Sequence, residues 1–120
     1  MQEEVEPIRY PKQRRYRRFD LQVPVCLTFP SAGSVSELAG MSENVSLGGL
    51  LLKAPDQLPL RTQVNLTIKL ISPWSHRSIR LHSEAEVVRV EALEPGDGYA
   101  IAVECKRPMQ KIEDHLRAAS

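Results

Sequence analysis

Two short stretches concentrate side chains able to hold an anionic ligand that also makes directional hydrogen bonds. The first, Arg14-Arg15-Tyr16-Arg17-Arg18-Phe19-Asp20, ends a block in which six of the ten residues from Arg9 to Arg18 are cationic. A guanidinium is planar and permanently charged, so it forks two hydrogen bonds onto a phosphate or a guanine edge and can stack its face on a purine. Taken alone, such a run reads equally as a solvated arm or a sorting tag. The second, Glu43-Asn44-Val45-Ser46-Leu47-Gly48-Gly49, puts an amide and a hydroxyl two residues apart on a strand and therefore on one face. The glycine beyond them permits a tight turn or the close approach of a ligand to the backbone. Taken alone, that stretch is an ordinary hairpin end with local side-chain-to-backbone bonds.

Competing chemistry is not visible in the sequence. Ser46 lacks the GxSxG context of a nucleophile elbow, no pair of acids has glycosidase-like spacing, and no Walker sequence occurs. Cys26 and Cys105 stand alone, and His76, His82 and His115 have neither HxH nor HxxxH spacing, so neither a metal site nor a disulfide framework is expected. The reading is of a binding protein, with no enzymatic activity, no metal and no cofactor.

Strands must position the two stretches. Leu21, Val23, Val25, Leu27 and Phe29 alternate with polar or small neighbours, the pattern of a half-buried strand. Pro24 falls on the outward phase and cannot donate to a ladder, which places this strand at an edge or opening. Pro30 to Ser34 reads as a turn, and a second strand is expected from about Val35 to Ser46. Leu47-Gly48-Gly49 breaks it before Leu50-Leu51-Leu52-Lys53 opens a third, forming a hairpin. Pro55 to Leu60 reads as loop. Val64, Leu66, Ile68 and Leu70 mark a fourth inner face, and Ile79, Leu81, Ala85 and Val87 a fifth. The phase then slips, with Val88 and Val90 continuing on even numbers, and a bulge would explain the slip. Pro95-Gly96-Asp97-Gly98 is a strong turn, followed by Tyr99, Ile101, Val103 and Cys105 on one phase. Cys105 then faces inward and Cys26 outward, which makes a bridge between them improbable. Pro108, Met109, Ile112 and Leu116 have the spacing of a short C-terminal helix. Six short strands with turns rich in Gly and Pro point to a closed or nearly closed antiparallel barrel.

The combination of the two stretches resembles the PilZ family. An RxxxR leading into a small β-domain, followed about twenty-five residues later by (D/N)xSxxG at a strand end, is the pairing that marks the family, and the resemblance runs from roughly Arg14 to Cys105. Arg18-Phe19, the run from Asn44 to Leu52, and Gly98-Tyr99-Ala100-Ile101-Ala102-Val103 are similar to its consensus. The resemblance implies an all-β, six-stranded antiparallel PilZ-like barrel that binds the bacterial messenger cyclic di-GMP. Arg14 and Arg18 match the motif's arginines, Asn44 and Ser46 its Asx and serine, and Gly49 its glycine. Arg15, Arg17 and Gly48 are auxiliary candidates. Asn44 stands where aspartate is commoner, exchanging a carboxylate for an amide with both donor and acceptor. Trp74 has no motif role; core and partner contact both remain open for it.

The expected organisation is a flexible basic arm over 1–18, a barrel over 19–107 and the helix over 108–120. At 120 residues the chain has room for one domain. No apolar run approaches the roughly 18 to 20 residues of a membrane span, and the acidic start Glu3-Glu4-Val5-Glu6 lacks the features of a secretory signal. A cytoplasmic monomer or weak dimer is expected, which signals to a protein partner when ligand orders its arm. The alternatives are a PilZ-like adaptor that binds a protein without nucleotide, and a nucleic-acid-binding barrel. The intact arginines speak against the first; a net charge of +1 and a low aromatic content speak against the second.

Overall fold

The period-two patterns become strands in the observed structure. In a computed structural model, which describes residues 16–71 and 77–109, they are β1 (Pro24–Ser31), β2 (Ser34–Ser46), β3 (Gly49–Ala54), β4 (Gln63–Ile71), β5 (Ser78–Ala92) and β6 (Tyr99–Cys105). All pairings are antiparallel, in the order β1-β2-β3-β6-β5-β4. Because β4 pairs back onto β1 through Val25 to Thr28, the sheet closes into a barrel. No helix occurs among the described residues. Pro108 and Met109 are not helical, and the remainder of the expected C-terminal helix, with Ile112 and Leu116, lies outside the described residues. So do residues 1–15 of the expected arm, and Trp74.

The inner faces supply the core. Leu27, Leu52, Leu66, Ile68, Val87 and Ile101 are fully buried at its centre, and each such side chain contributes roughly 1.5–3 kcal/mol relative to exposure. Tyr99 and Cys105 pack against this cluster while Cys26 lies on the outer side, its thiol donating to Glu37 at 3.0 Å. Both cysteines are free. The slip in β5 is a bulge: Val87 pairs with Val103 and Arg89 with Ala102, so Val88 is the extra residue. It is exposed, contrary to the expected inward set, and Val90 alone resumes the inner face.

Two further expectations change. β1 is not an edge strand, since β2 and β4 flank it. Pro24 is accommodated because it is the first residue of the strand, with a partner on β2 alone. The first turn is also shorter than Pro30 to Ser34: Pro30 and Ser31 pair with Val35 and Ser34, leaving Ala32 and Gly33 as a two-residue loop with φ of 50° and 82°. Positive φ at both positions is the type I′ turn, whose twist matches the flanking strands. Alanine in that conformation carries a steric cost of roughly 1–2 kcal/mol.

A second bulge was not evident in the sequence. In β2, Ser42 pairs with Leu52 and Asn44 with Leu51, which leaves Glu43 extra. Across the bulge Ser42 and Val45 both point inward, each 0 % exposed. Ser42 is the buried polar side chain among the described residues, and its hydroxyl is satisfied by donating to the Leu21 carbonyl and accepting from the Val23 amide at 2.9 Å.

Ser42→Ala should lower stability by about 1–3 kcal/mol, because it takes the Ser42 hydroxyl away from the part-buried Leu21 carbonyl and Val23 amide; urea unfolding should show a lower midpoint at unchanged slope. Ala32→Asn should raise that midpoint, by about 0.5–1 kcal/mol, since asparagine tolerates the left-handed region better. Burial, then the Glu37 carboxylate that holds its S–H, push the Cys26 thiol up to about 11. A raised value keeps the thiol protonated at neutral pH, so iodoacetamide labelling of Cys26, followed by peptide mass mapping, should keep rising with pH to about 11 rather than levelling near the ordinary value of about 8.5. Levelling there would remove the role assigned to Glu37.

Candidate functional site

The two motif stretches meet at one end of β2. Phe19 forms an isolated antiparallel bridge with Val45, exchanging both backbone bonds: the Phe19 amide donates to the Val45 carbonyl at 2.8 Å and the Val45 amide to the Phe19 carbonyl at 2.9 Å. Phe19 is buried because its ring enters the same core as Val45. Neighbours of an inward pair face outward, and extension of this register by one residue each way sets Arg18 across from Ser46 and Asp20 across from Asn44. Arg18 and Asp20 are exposed, Asn44 and Ser46 half-buried, in keeping with that register. The leader continues along β2 with the Ser42 amide donating to the Val23 carbonyl at 3.0 Å. Gln22 Nε2 donates to the Glu43 carbonyl at 3.4 Å.

Arg17 takes a different direction from Arg18. Its guanidinium carbon lies 4.7 Å from the centroid of the Phe19 ring, a cation–π contact that stiffens the approach to the bridge. Arg18 makes no ion pair with another described residue. Arg14 and Arg15 lie outside the described residues.

The hairpin turn between β2 and β3 is built by small residues and a serine. Ser46 Oγ accepts from the Gly48 amide at 3.2 Å and donates to the Gly49 carbonyl at 3.3 Å. Its one hydrogen is thereby used, and one lone pair remains for an external donor. Asn44 makes no side-chain hydrogen bond to another described residue, leaving its carbonyl and both amide hydrogens for solvent or ligand. Gly49 has φ of 152°, and a Cβ there would collide with the Val103 carbonyl of β6. Its glycine is thus required by the approach of β6 to the turn. At Gly48 a Cβ would meet the Tyr16 ring, 2.7 Å from Cδ2, so that glycine seats Tyr16 against the turn.

The end of β6 and the segment after it close the other side. The Cys105 amide donates to the Gly48 carbonyl at 2.8 Å and the Met109 amide to the Leu47 carbonyl at 2.7 Å, with the Met109 side chain buried. Burial pushes the Cys105 thiol up, so this cysteine is an uncharged packing group beside the turn.

Sequence reasoning brought Arg18, Asn44, Ser46, Gly48 and Gly49 to this place and missed Ser42, Tyr16 and Met109. Ser42 had a signal: on the even phase of Leu38 and Gly40, it is a polar side chain on an inner face, next to a change of phase. Tyr16 and Met109 offered none, since each acts through a contact made by chain folding. Among the described residues no three His, Cys, Asp or Glu side chains group as a metal site, and no helix is long and apolar enough to cross a membrane.

No curated protein matches the sequence significantly. Among solved structures, the chain is similar to the Bacillus subtilis inhibitor of motility MotI (DgrA), with a TM-score of 0.67 at 22% identity over 86% of this chain and 47% of that one. It spans about half of that protein. It is also similar to the PilZ domain of YcgR from Escherichia coli, whose structure holds cyclic di-GMP, with a TM-score of 0.56 at 16% identity over 88% of this chain and 86% of that one. At these identities the likeness is one of fold. The PilZ domain model matches residues 12–119, nearly the whole sequence and both motif stretches, and on that match the chain belongs to the PilZ domain family.

Proposed function

We propose that this chain is a cyclic di-GMP receptor whose ligand lies on the outer face of β2, between Asn44 and Ser46 on the strand and the arginines of the leader. The observation that carries this reading is the Phe19–Val45 exchange, because its register supports a position for Arg18 next to Ser46. The presence of cyclic di-GMP in the YcgR PilZ domain supports the choice of ligand.

The residue chemistry suits a guanine dinucleotide. The Arg18 guanidinium, joined by Arg14, would fork onto phosphate or a guanine edge and stack on a base. The Asn44 amide would both donate to and accept from a guanine edge, and the spare lone pair of Ser46 would accept from a guanine N–H. Gly48 and Gly49 admit the Tyr16 ring and the β6 backbone against the turn, which holds Ser46 in place for the ligand. Arg15 and Arg17 would add local attraction for the dianion. Immobilising each arginine costs roughly 1.5–2 kcal/mol of side-chain freedom, offset by charge-assisted hydrogen bonds of roughly 1.5–3 kcal/mol each.

The chain carries no catalytic constellation in this reading and acts in the cytoplasm by ordering residues 1–18 over the ligand. The reshaped surface then selects a protein partner by population shift. That partner, not the barrel, would carry the effector activity.

Calorimetric titration of cyclic di-GMP tests this. Wild type should bind saturably, Arg18→Ala should weaken binding by about tenfold to a hundredfold through loss of a charge-assisted pair, and Arg80→Ala on the outer face of β5 should leave it unchanged. A single-stranded oligonucleotide should give no saturable heat. A folded wild-type protein with no dinucleotide binding would overturn the proposal in favour of a nucleotide-independent adaptor, and oligonucleotide binding in its place would favour a nucleic-acid barrel.

A further inference from the structure

The opposite end of β2 is an open sheet edge. β3 ends at Ala54, and its pairing with β2 extends only from Ser46 back to Met41, whereas β2 itself begins at Ser34. Residues 34–39 therefore have no strand on the β3 side among the described residues. The phase of the backbone there is fixed twice over. The two-residue turn makes Ser31 and Ser34 a mutually bonded pair, and the Ser42 amide points to the β1 side, where it meets the Val23 carbonyl. Both set the backbone groups of Ser36, Leu38 and Gly40 toward β1. Those of Val35, Glu37 and Ala39 point to the open side, each offering a donor and an acceptor. All three residues are exposed, Val35 at 75 %.

The edge leads into a groove of about 690 Å³ where β3 departs, bounded by Met41, Lys53, Pro55, Glu94, Asp97 and Tyr99. Met41 is 46 % exposed and with Pro55 and Tyr99 gives the groove apolar wall. Its charge is acidic, from Glu94 and Asp97 on the β5–β6 turn, and Glu37 lies farther along the edge that leads into it. Lys53 is the basic residue of the lining, and it is 3.8 Å from Glu43.

We propose that this edge and groove form a docking site for an extended basic segment of a partner protein, added as a strand alongside residues 34–39 of β2. Strand addition uses the unpaired groups of Val35, Glu37 and Ala39 for affinity and alternate side chains for specificity. A cation directly opposite Glu37 forms a favourable cross-strand pair, and further cations reach Glu94 and Asp97. The same residue argues against a second copy as the occupant. Two β2 edges pairing about a two-fold axis through Glu37 set one carboxylate opposite the other, which is destabilising. Edge charges of this kind protect native sheets from self-association. The site lies at the far end of β2 from Asn44 and Ser46, so it does not depend on the proposed nucleotide site.

The test is an amide NMR titration of the full chain with three synthetic probes: a heptapeptide alternating lysine and valine, its glutamate counterpart, and the lysine peptide N-methylated at alternate residues to remove ladder donors. The lysine peptide should shift the amides of Val35, Glu37, Ala39 and Gly96 to Tyr99 and slow hydrogen exchange at Val35, Glu37 and Ala39. Its affinity should exceed that of the glutamate peptide by about fivefold to tenfold and fall by a similar factor in Glu37→Lys; N-methylation should abolish binding. Ala39→Pro removes an outward N–H that bonds nothing in the barrel, and should also abolish it with the folded spectrum retained. Equal binding of the two charged peptides, shifts confined to other strands, or concentration-dependent self-association through residues 34–39 would overturn the proposal.

Discussion

The tether between the leader and β2 rests on a buried hydroxyl and one extra residue. Glu43 interrupts the alternation of β2, and a one-residue shift of phase exchanges the two faces of a strand. Before it, even-numbered residues point into the barrel, as Leu38 and Ser42 do; after it, Val45 points inward and Asn44 and Ser46 turn outward. Without the bulge the amide and the hydroxyl would enter an apolar core, where unpaired polar groups cost several kcal/mol. The shift also aims the backbone groups of Val45 at the leader, where they bond Phe19, in line with the Ser42 amide that bonds Val23. Ser42 Oγ takes up the Leu21 carbonyl and the Val23 amide, so residues 19 to 23 run along β2 as an ordered strip. The outward direction of the motif and the position of Arg18 beside it thus have one origin.

This origin explains what could and could not be read from the sequence. The strands were legible because burial on one face writes itself as period-two alternation, and Val64, Leu66, Ile68 and Leu70 are all buried as that pattern requires. The β5 bulge was legible too, because valines flank it on both phases. The β2 bulge was harder to place, since Leu38 and Val45 lie on opposite phases but the polar Ser-Glu-Asn between them does not mark which residue is extra. Pro24 was misread for a related reason: a missing donor marks a place without a partner, and a strand terminus satisfies that as well as an edge does. For the site, residue types and their spacing pointed to Arg18, Asn44 and Ser46, but the bridge that joins them depends on the pairing of Phe19 with Val45, a long-range contact with no local signature.

The turn between β2 and β3 is held on several sides. Ser46 binds the Gly48 amide and the Gly49 carbonyl, Cys105 and Met109 take the carbonyls of Gly48 and Leu47, and Tyr16 lies over Gly48. Backbone groups satisfied in this way have little tendency to rearrange. Asn44 and Ser46 therefore sit on a preorganised platform, and preorganisation lowers the ordering cost of binding. In the proposed receptor the remaining cost falls on the arginine side chains, the one component of the site not fixed by the sheet. That division would suit the proposed sensor: a rigid face to read the base, and arginines that close on the ligand to carry the response.

The link from this turn to the residues at and after the end of β6 would give such a response a second route. Met109 and Cys105 bond the carbonyls of the very turn whose other face meets Tyr16, and Tyr16 lies two residues from Arg18. A displacement of Tyr16 by a ligand between Arg18 and Ser46 would act on a two-residue turn that has no slack, because a Cβ-sized shift at Gly49 meets the Val103 carbonyl. Packed elements respond to such a push by exchanging one set of contacts for another, not by gradual deformation. The contacts within reach are the Cys105 and Met109 bonds, which lie outside the strand ladders and can break without opening the barrel. In the proposed receptor, coupling between the leader and the segment after β6 would run through these contacts.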